Sequence, residues 1–177
     1  MKTTSFTALA FSTVVWCLPI SAVAKPDYSC LEAAWQAEIN IQMALQDEIA
    51  QIMVAAQSDL QEVSELSAAS AKQNLTMTRA LREWIWETDP ARLNTLEAHT
   101  AFSWTDEDRA AWVAAAPDAA AMQDRLDDLN AQLAAHPDLN AYFTLLGEDA
   151  QQAQMLEIAD AFAERMAETS VALASCF

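Results

Sequence analysis

Toward the end of the chain, Met155, Ala159, Phe162, Met166, Thr169, Leu173 and Cys176 recur at steps of four and three without interruption. That spacing keeps one apolar seam on a single face of a helix and predicts a long helix over residues 148–175. Near the start, Leu31, Trp35, Leu45, Ile49, Ile52, Ala56 and Val63 keep a similar spacing, with Glu38 and Gln42 as polar interruptions. Ile39, Ile41, Met43 and Met53 widen the apolar surface, so this helix is expected to be flanked on more than one side. An unbroken helix over residues 28–87 would be about 90 Å long at 1.5 Å per residue, too long for a compact chain of this size. A bend or break is therefore expected, in the serine-rich, weakly apolar residues 64–74; an elongated coiled-coil shape is the alternative.

Between these two helices the punctuation predicts shorter ones. Asp89 followed by Pro90 reads as a cap and first helical residue, opening a helix to about Ala101. Thr105 with Asp108 three residues on resembles a capping box for a helix ending near Ala115. Pro117 starts a helix in which Met122, Leu126, Leu129 and Leu133 form one stripe. Pro137 starts a brief one carrying Leu139, Tyr142, Phe143 and Leu146, with Gly147 expected to end it in the left-handed conformation. Alternation of apolar and polar residues is nowhere sustained, so no strand is expected. The fold class is all-α: a helical bundle with two long antiparallel terminal helices and several short helices between them.

The first 24 residues change the picture of where this bundle works. Lys2, an apolar stretch over residues 6–20 and the small-x-small triplet Ala22-Val23-Ala24 read as a secretory signal peptide, leaving a single helical domain over residues 25–177. Cleavage after Ala24 places the mature protein in the periplasm or outside the cell. It also removes Cys17, so that Cys30 and Cys176 remain to form one disulfide stapling the two ends of the chain. No second apolar run approaches the roughly 20 residues of a membrane span, and the mature chain is expected not to be membrane-embedded.

Charge narrows the partners. The formal net charge of −17 becomes −18 once Lys2 leaves with the signal, which argues against nucleic acid and anionic lipid. An acidic surface is either plain solvation or an attraction for a cationic partner. Half of the mature cations, Lys72, Arg79, Arg82 and Arg92, gather around Arg82-Glu83-Trp84-Ile85-Trp86, the most unusual local segment. Trp84 and Trp86 point nearly opposite ways on a helix, so at most one lies deep in the same core. With Trp104 and Trp112 following, Arg82, Trp84, Trp86, Trp104 and Trp112 form the candidate contact surface, tryptophan and arginine being the residue types favoured at interface hot spots.

Candidate chemistry adds little. His99 and His136 are the only histidines and neither stands in a metal-ligand spacing; Glu97 and His99 lie about 200° apart on a helix and cannot share an ion. The acidic cluster Asp106-Glu107-Asp108 reads as stabilisation of a helix N-terminus, since a calcium loop would need a glycine turn. Gly147, the lone glycine, matches neither a nucleophile elbow nor a phosphate loop. No catalytic, cofactor-binding or metal-binding residue is assigned, and enzyme function has the least support. The leading expectation is an exported, non-enzymatic protein acting through protein contacts, as an adaptor, inhibitor or chaperone-like accessory. The alternative is a bundle binding a small apolar ligand in a pocket lined by Met43, Met53, Trp84, Trp112 and Phe162. The sequence specifies no oligomeric state.

Overall fold

The computed structural model describes residues 26–177; the signal-peptide reading falls on residues 1–24, outside the described residues. Among the described residues seven α-helices follow one another: α1 (Tyr28–Ala56), α2 (Gln61–Thr88), α3 (Leu96–Thr100), α4 (Asp106–Ala115), α5 (Ala119–Ala135), α6 (Leu139–Leu146) and α7 (Asp149–Ala174). No strand occurs among the described residues. Asp27 starts α1, its carboxylate accepting the Ser29 backbone N–H at 3.1 Å.

The long first segment does bend, but not within residues 64–74. It breaks at Gln57, which is extended, and a short 3-10 turn at Ser58–Leu60 leads into α2. Of the serines expected to weaken the helix, Ser64 and Ser70 are buried inside it instead. Ser64 returns its hydroxyl to the Leu60 carbonyl at 2.7 Å, and Ser70 donates to Asn130 Oδ1 of α5 at 2.6 Å. Small side chains with satisfied hydroxyls allow α2 to approach its neighbours closely, which is why the helix runs through them. At the true bend Met53, Leu60 and Val63 are fully buried against Tyr142 and Leu145 of α6, so packing at the elbow selects its position.

The resulting order across the molecule is α7, α1, α2, α5. Helix α1 lies between α2 and α7, α2 lies between α1 and α5, and α4 packs on α5. Being flanked on both sides explains the wide apolar surface of α1. The acids interrupting that surface, and those beside it, meet bases of the neighbouring helices: Glu38 with Arg82 at 2.9 Å, Asp47 with Lys72, and Glu48 with Arg165 at 3.3 Å. The buried side chains fall in two clusters, one at the elbow and one at the opposite end, where Leu31, Trp35, Leu81, Ile85, Trp86 and Leu93 pack beside Cys176.

The two terminal helices are antiparallel and joined by the expected bond: Cys30 and Cys176 form a disulfide, their Cα atoms 5.6 Å apart and 146 residues apart in sequence. Other details depart from the sequence reading. The helix expected from Pro90 divides into a 3-10 turn at Pro90–Arg92 and α3, whose cap is Thr95. Gly147 does end α6, but with φ −81°, in the right-handed region, so no left-handed residue is needed there. Ala159 is exposed, and Ile158 beside it is the residue turned toward α1.

Closing a loop of this length contributes about 5 kcal/mol in the chain-entropy treatment. Cys176→Ser should therefore lower Tm by on the order of 10 °C in non-reducing buffer, and dithiothreitol should do the same to the wild type. A melting curve unchanged by both would show that the staple adds no stability.

Candidate functional site

The disulfide end of the bundle is built on a buried tryptophan. Trp35 has no exposed surface, so its indole N–H needs an acceptor inside the protein. It donates to Nε2 of His99, the two rings lying nearly parallel with centroids 5.8 Å apart. An indole nitrogen can only donate; Nε2 must therefore accept, and the proton of the neutral imidazole sits on Nδ1. His99 is 7% exposed, and its pKa is lowered to about 4, first by burial and then by the nearby Arg82 cation, with Glu38 acting in the opposite direction. Tyr28, Trp86 and Phe177 complete the cluster: Trp86 meets Trp35 edge-on at 6.4 Å and Tyr28 face-on at 5.9 Å, while Phe177 stands 6.0 Å from His99.

Arg82 comes from α2 and enters this cluster from the side. Its Nη1 donates to Glu38 Oε2, and its guanidinium lies 5.7 Å from the Trp35 ring centroid. Two pits meet at Arg82 and Phe102. One, of about 220 Å³, is bounded by α1, α2, α3 and α7 and has His99, Glu38, Thr169 and Leu173 among its lining residues. The other, of about 80 Å³, is lined by Thr78, Arg82, Phe102 and Trp104. The segment carrying Phe102 and Trp104 is not helical, yet it is pinned. Arg92 lies 5.0 Å from the Phe102 ring centroid and makes a two-pronged bond to Asp108 at 2.6 and 2.9 Å. Asp108 also completes the capping box with Thr105, as the sequence spacing predicts. These bonds, that from Arg92 first, hold the Asp108 carboxyl at a pKa of about 2.

The five residues expected to share one contact surface are divided among three places. Trp86 is 8% and Trp112 is 3% exposed, and both belong to the core. Arg82 and Trp104 line the smaller pit. Trp84, half-buried, lies on the opposite side of α2 and joins Trp112 in a separate groove of about 490 Å³ against the turn between α4 and α5. Two residues on from Arg82 means a turn of about 200°, which takes Trp84 away from it. The apolar-pocket set also separates: Met53 is in the elbow core and Trp112 in the core at the other end, so Met43, Met53, Trp84, Trp112 and Phe162 do not enclose one cavity.

The residues that the structure does bring together, Trp35, Glu38, His99, Phe102 and Thr169, stand outside the contact surface expected from the sequence. Glu38 carries a legible signal, a carboxylate set in an otherwise apolar stripe. His99 carries none, because its partner is 64 residues away.

Among the described residues no group of three or more His, Cys, Asp or Glu side chains is placed to share a metal ion. No known protein family, curated protein or solved structure matches this chain.

The lowered pKa of His99 fixes the sign of an acid effect. The unfolded chain takes up a proton near pH 6.5 and the folded protein only near 4, so stability is fully present above 6.5 and falls as pH drops through that window. The slope is at most about 1.4 kcal/mol per pH unit. His99→Gln offers an amide oxygen to Trp35 at every pH, and its urea midpoint should fall less than the wild type's between pH 7 and 5. Equal losses would contradict a neutral buried His99.

Proposed function

We propose that this is an exported, non-enzymatic helical protein that acts by binding a basic partner protein along the outward face of α7. Export is supported by Lys2, the apolar stretch over residues 6–20 and Ala22-Val23-Ala24, which together resemble a cleaved signal for the periplasm or the exterior. The Cys30–Cys176 bond suits an oxidising compartment, and among the described residues no helix is long and apolar enough to cross a membrane.

The observation that carries the partner is the distribution of charge. On α1, Glu32, Glu38, Asp47 and Glu48 each meet a base from α2 or α7. On α7, Glu157, Asp160, Glu164 and Glu168 have no ion-pair partner among the described residues, and all four are exposed. Their spacing of three, four and four aligns them as one stripe about 16 Å long on the side away from α1. Leu156 and Val171, 68% and 73% exposed, stand near its two ends. An acidic stripe between exposed aliphatic residues complements a basic amphipathic segment. A second copy would set like charge against like at a net −17. Adaptor, inhibitor and accessory roles are forms of this one contact.

The test compares two charge-neutralised proteins as baits in extracts of the protein's own cells. Glu157→Gln, Asp160→Asn, Glu164→Gln and Glu168→Gln together should keep the fold but lose the basic polypeptide that the wild type retains, with at least a tenfold weaker affinity. Asp124→Asn, Asp127→Asn and Asp128→Asn on α5 should keep it. Equal retention by both baits, or retention of no basic polypeptide by the wild type, would overturn the proposal.

A further inference from the structure

The larger pit at Arg82 has an unusual balance of hydrogen-bonding groups. Its hydroxyl hydrogens are already engaged: Thr169 and Ser170 both donate to the Met166 carbonyl, and Thr100 donates to the carbonyls of Leu96 and Glu97. Each oxygen of Glu38 also accepts a hydrogen bond already, Oε1 from Gln42 and Oε2 from Arg82. The side chains lining the pit that keep an unused hydrogen to donate are His99 and Arg82. Nδ1–H of His99 has no partner among the described residues, and neither do Nε and Nη2 of Arg82, whose only hydrogen bond leaves through Nη1. None of these atoms is sealed from solvent, since Gln151 Oε1 is the one fully buried side-chain polar atom without a partner among the described residues. Both residues line the pit, and His99 itself is more than nine-tenths buried.

These donors open onto the pit, where water or a ligand with acceptor atoms can meet them. A partly enclosed pit lined by an arginine with unused N–H groups and by an imidazole with one can receive a planar acceptor with two oxygens. The remaining lining is apolar, from Ala34, Phe102, Met166 and Leu173. We propose that this pit binds a small monocarboxylic acid, its carboxylate held by His99 Nδ1–H and the free edge of Arg82 and its hydrocarbon body lying against these four side chains.

Size and charge limit the class. The pit of about 220 Å³ has space for roughly seven waters at about 30 Å³ each, which admits an acid of the size of isovalerate or benzoate. A cation would have to compete for Glu38 with the Arg82 guanidinium already paired to it. A phosphate dianion would need more positive charge than one arginine already paired with Glu38 supplies. The site is distinct from the acidic stripe, which lies on the opposite face of α7, so either proposal can fail without the other.

The experiment is titration of the disulfide-bonded protein with isovalerate and with benzoate, read by calorimetry and by the His99 ring resonances. At least one acid should bind with 1:1 stoichiometry and a Kd on the order of 1 mM or tighter, shifting His99. Isovaleramide and benzamide, which keep the shape and lose the charge, should bind at least about tenfold more weakly. Arg82→Gln combined with Glu38→Gln replaces the ion pair by an amide pair and should cost a similar factor. Ser170→Phe, at the exposed rim, should block the pit without touching the core. Absence of saturable binding by both acids, equal binding of the amides, or binding that survives both the double variant and Ser170→Phe would overturn the proposal.

Discussion

A buried indole N–H that must find an acceptor organises one end of this protein. Trp35 is fully enclosed by the packing of α1 against α2 and by Tyr28 and Trp86, so its nitrogen has no access to bulk solvent. His99 fulfils that need only while it remains neutral and only if α3 is held where the ring can reach. The consequences spread outward. The neutral ring leaves one N–H over. Arg82, excluded from the indole hydrogen bond, lies across the Trp35 face and turns to Glu38. Arg92, through Asp108 and Phe102, fixes the segment that follows α3. The disulfide closes the same end by fastening α7 to α1 close to these rings.

The distribution of charge follows from the same construction. A chain this acidic folds only if its bases are placed where acids would otherwise face each other across helix interfaces, and α1 is the helix with neighbours on both sides. Four of its acids are met by bases from α2 and α7. The more exposed of these pairs, those of Glu32, Asp47 and Glu48, are worth little individually, about 0 to 1 kcal/mol, so their main effect is orientation. The excess negative charge is left on outward faces, and that of α7 carries the two most exposed large aliphatic side chains of the described residues, Leu156 and Val171.

Much of the fold is legible in the sequence because it depends on local rules. The four-three seam from Met155 to Cys176 specifies α7 and turns Cys176 toward α1. The pair Thr105 and Asp108 specifies the start of α4. The bend is not legible in the same way: serine composition points to residues 64–74, whereas the elbow at Gln57 is chosen by how Met53, Leu60 and Val63 pack on α6. The candidate surface shows the same limit. Helical stepping separates Arg82 from Trp84, as it should, but that Trp104 joins Arg82 and Trp112 joins Trp84 depends on where α3 and α4 are folded back. The pair that matters most, Trp35 and His99, leaves no local trace at all.

The most direct test of this account is the tautomeric state of His99, read from its two ring nitrogens by long-range proton–nitrogen correlation at about pH 5.5. A histidine of ordinary pKa near 6.5 would be mostly charged there. The account predicts a neutral ring, protonated on Nδ1 and bare on Nε2, with the Trp35 indole proton shifted by its hydrogen bond. An imidazolium, or a neutral ring protonated on Nε2, would contradict it, and with it the origin of the unused donor in the pit.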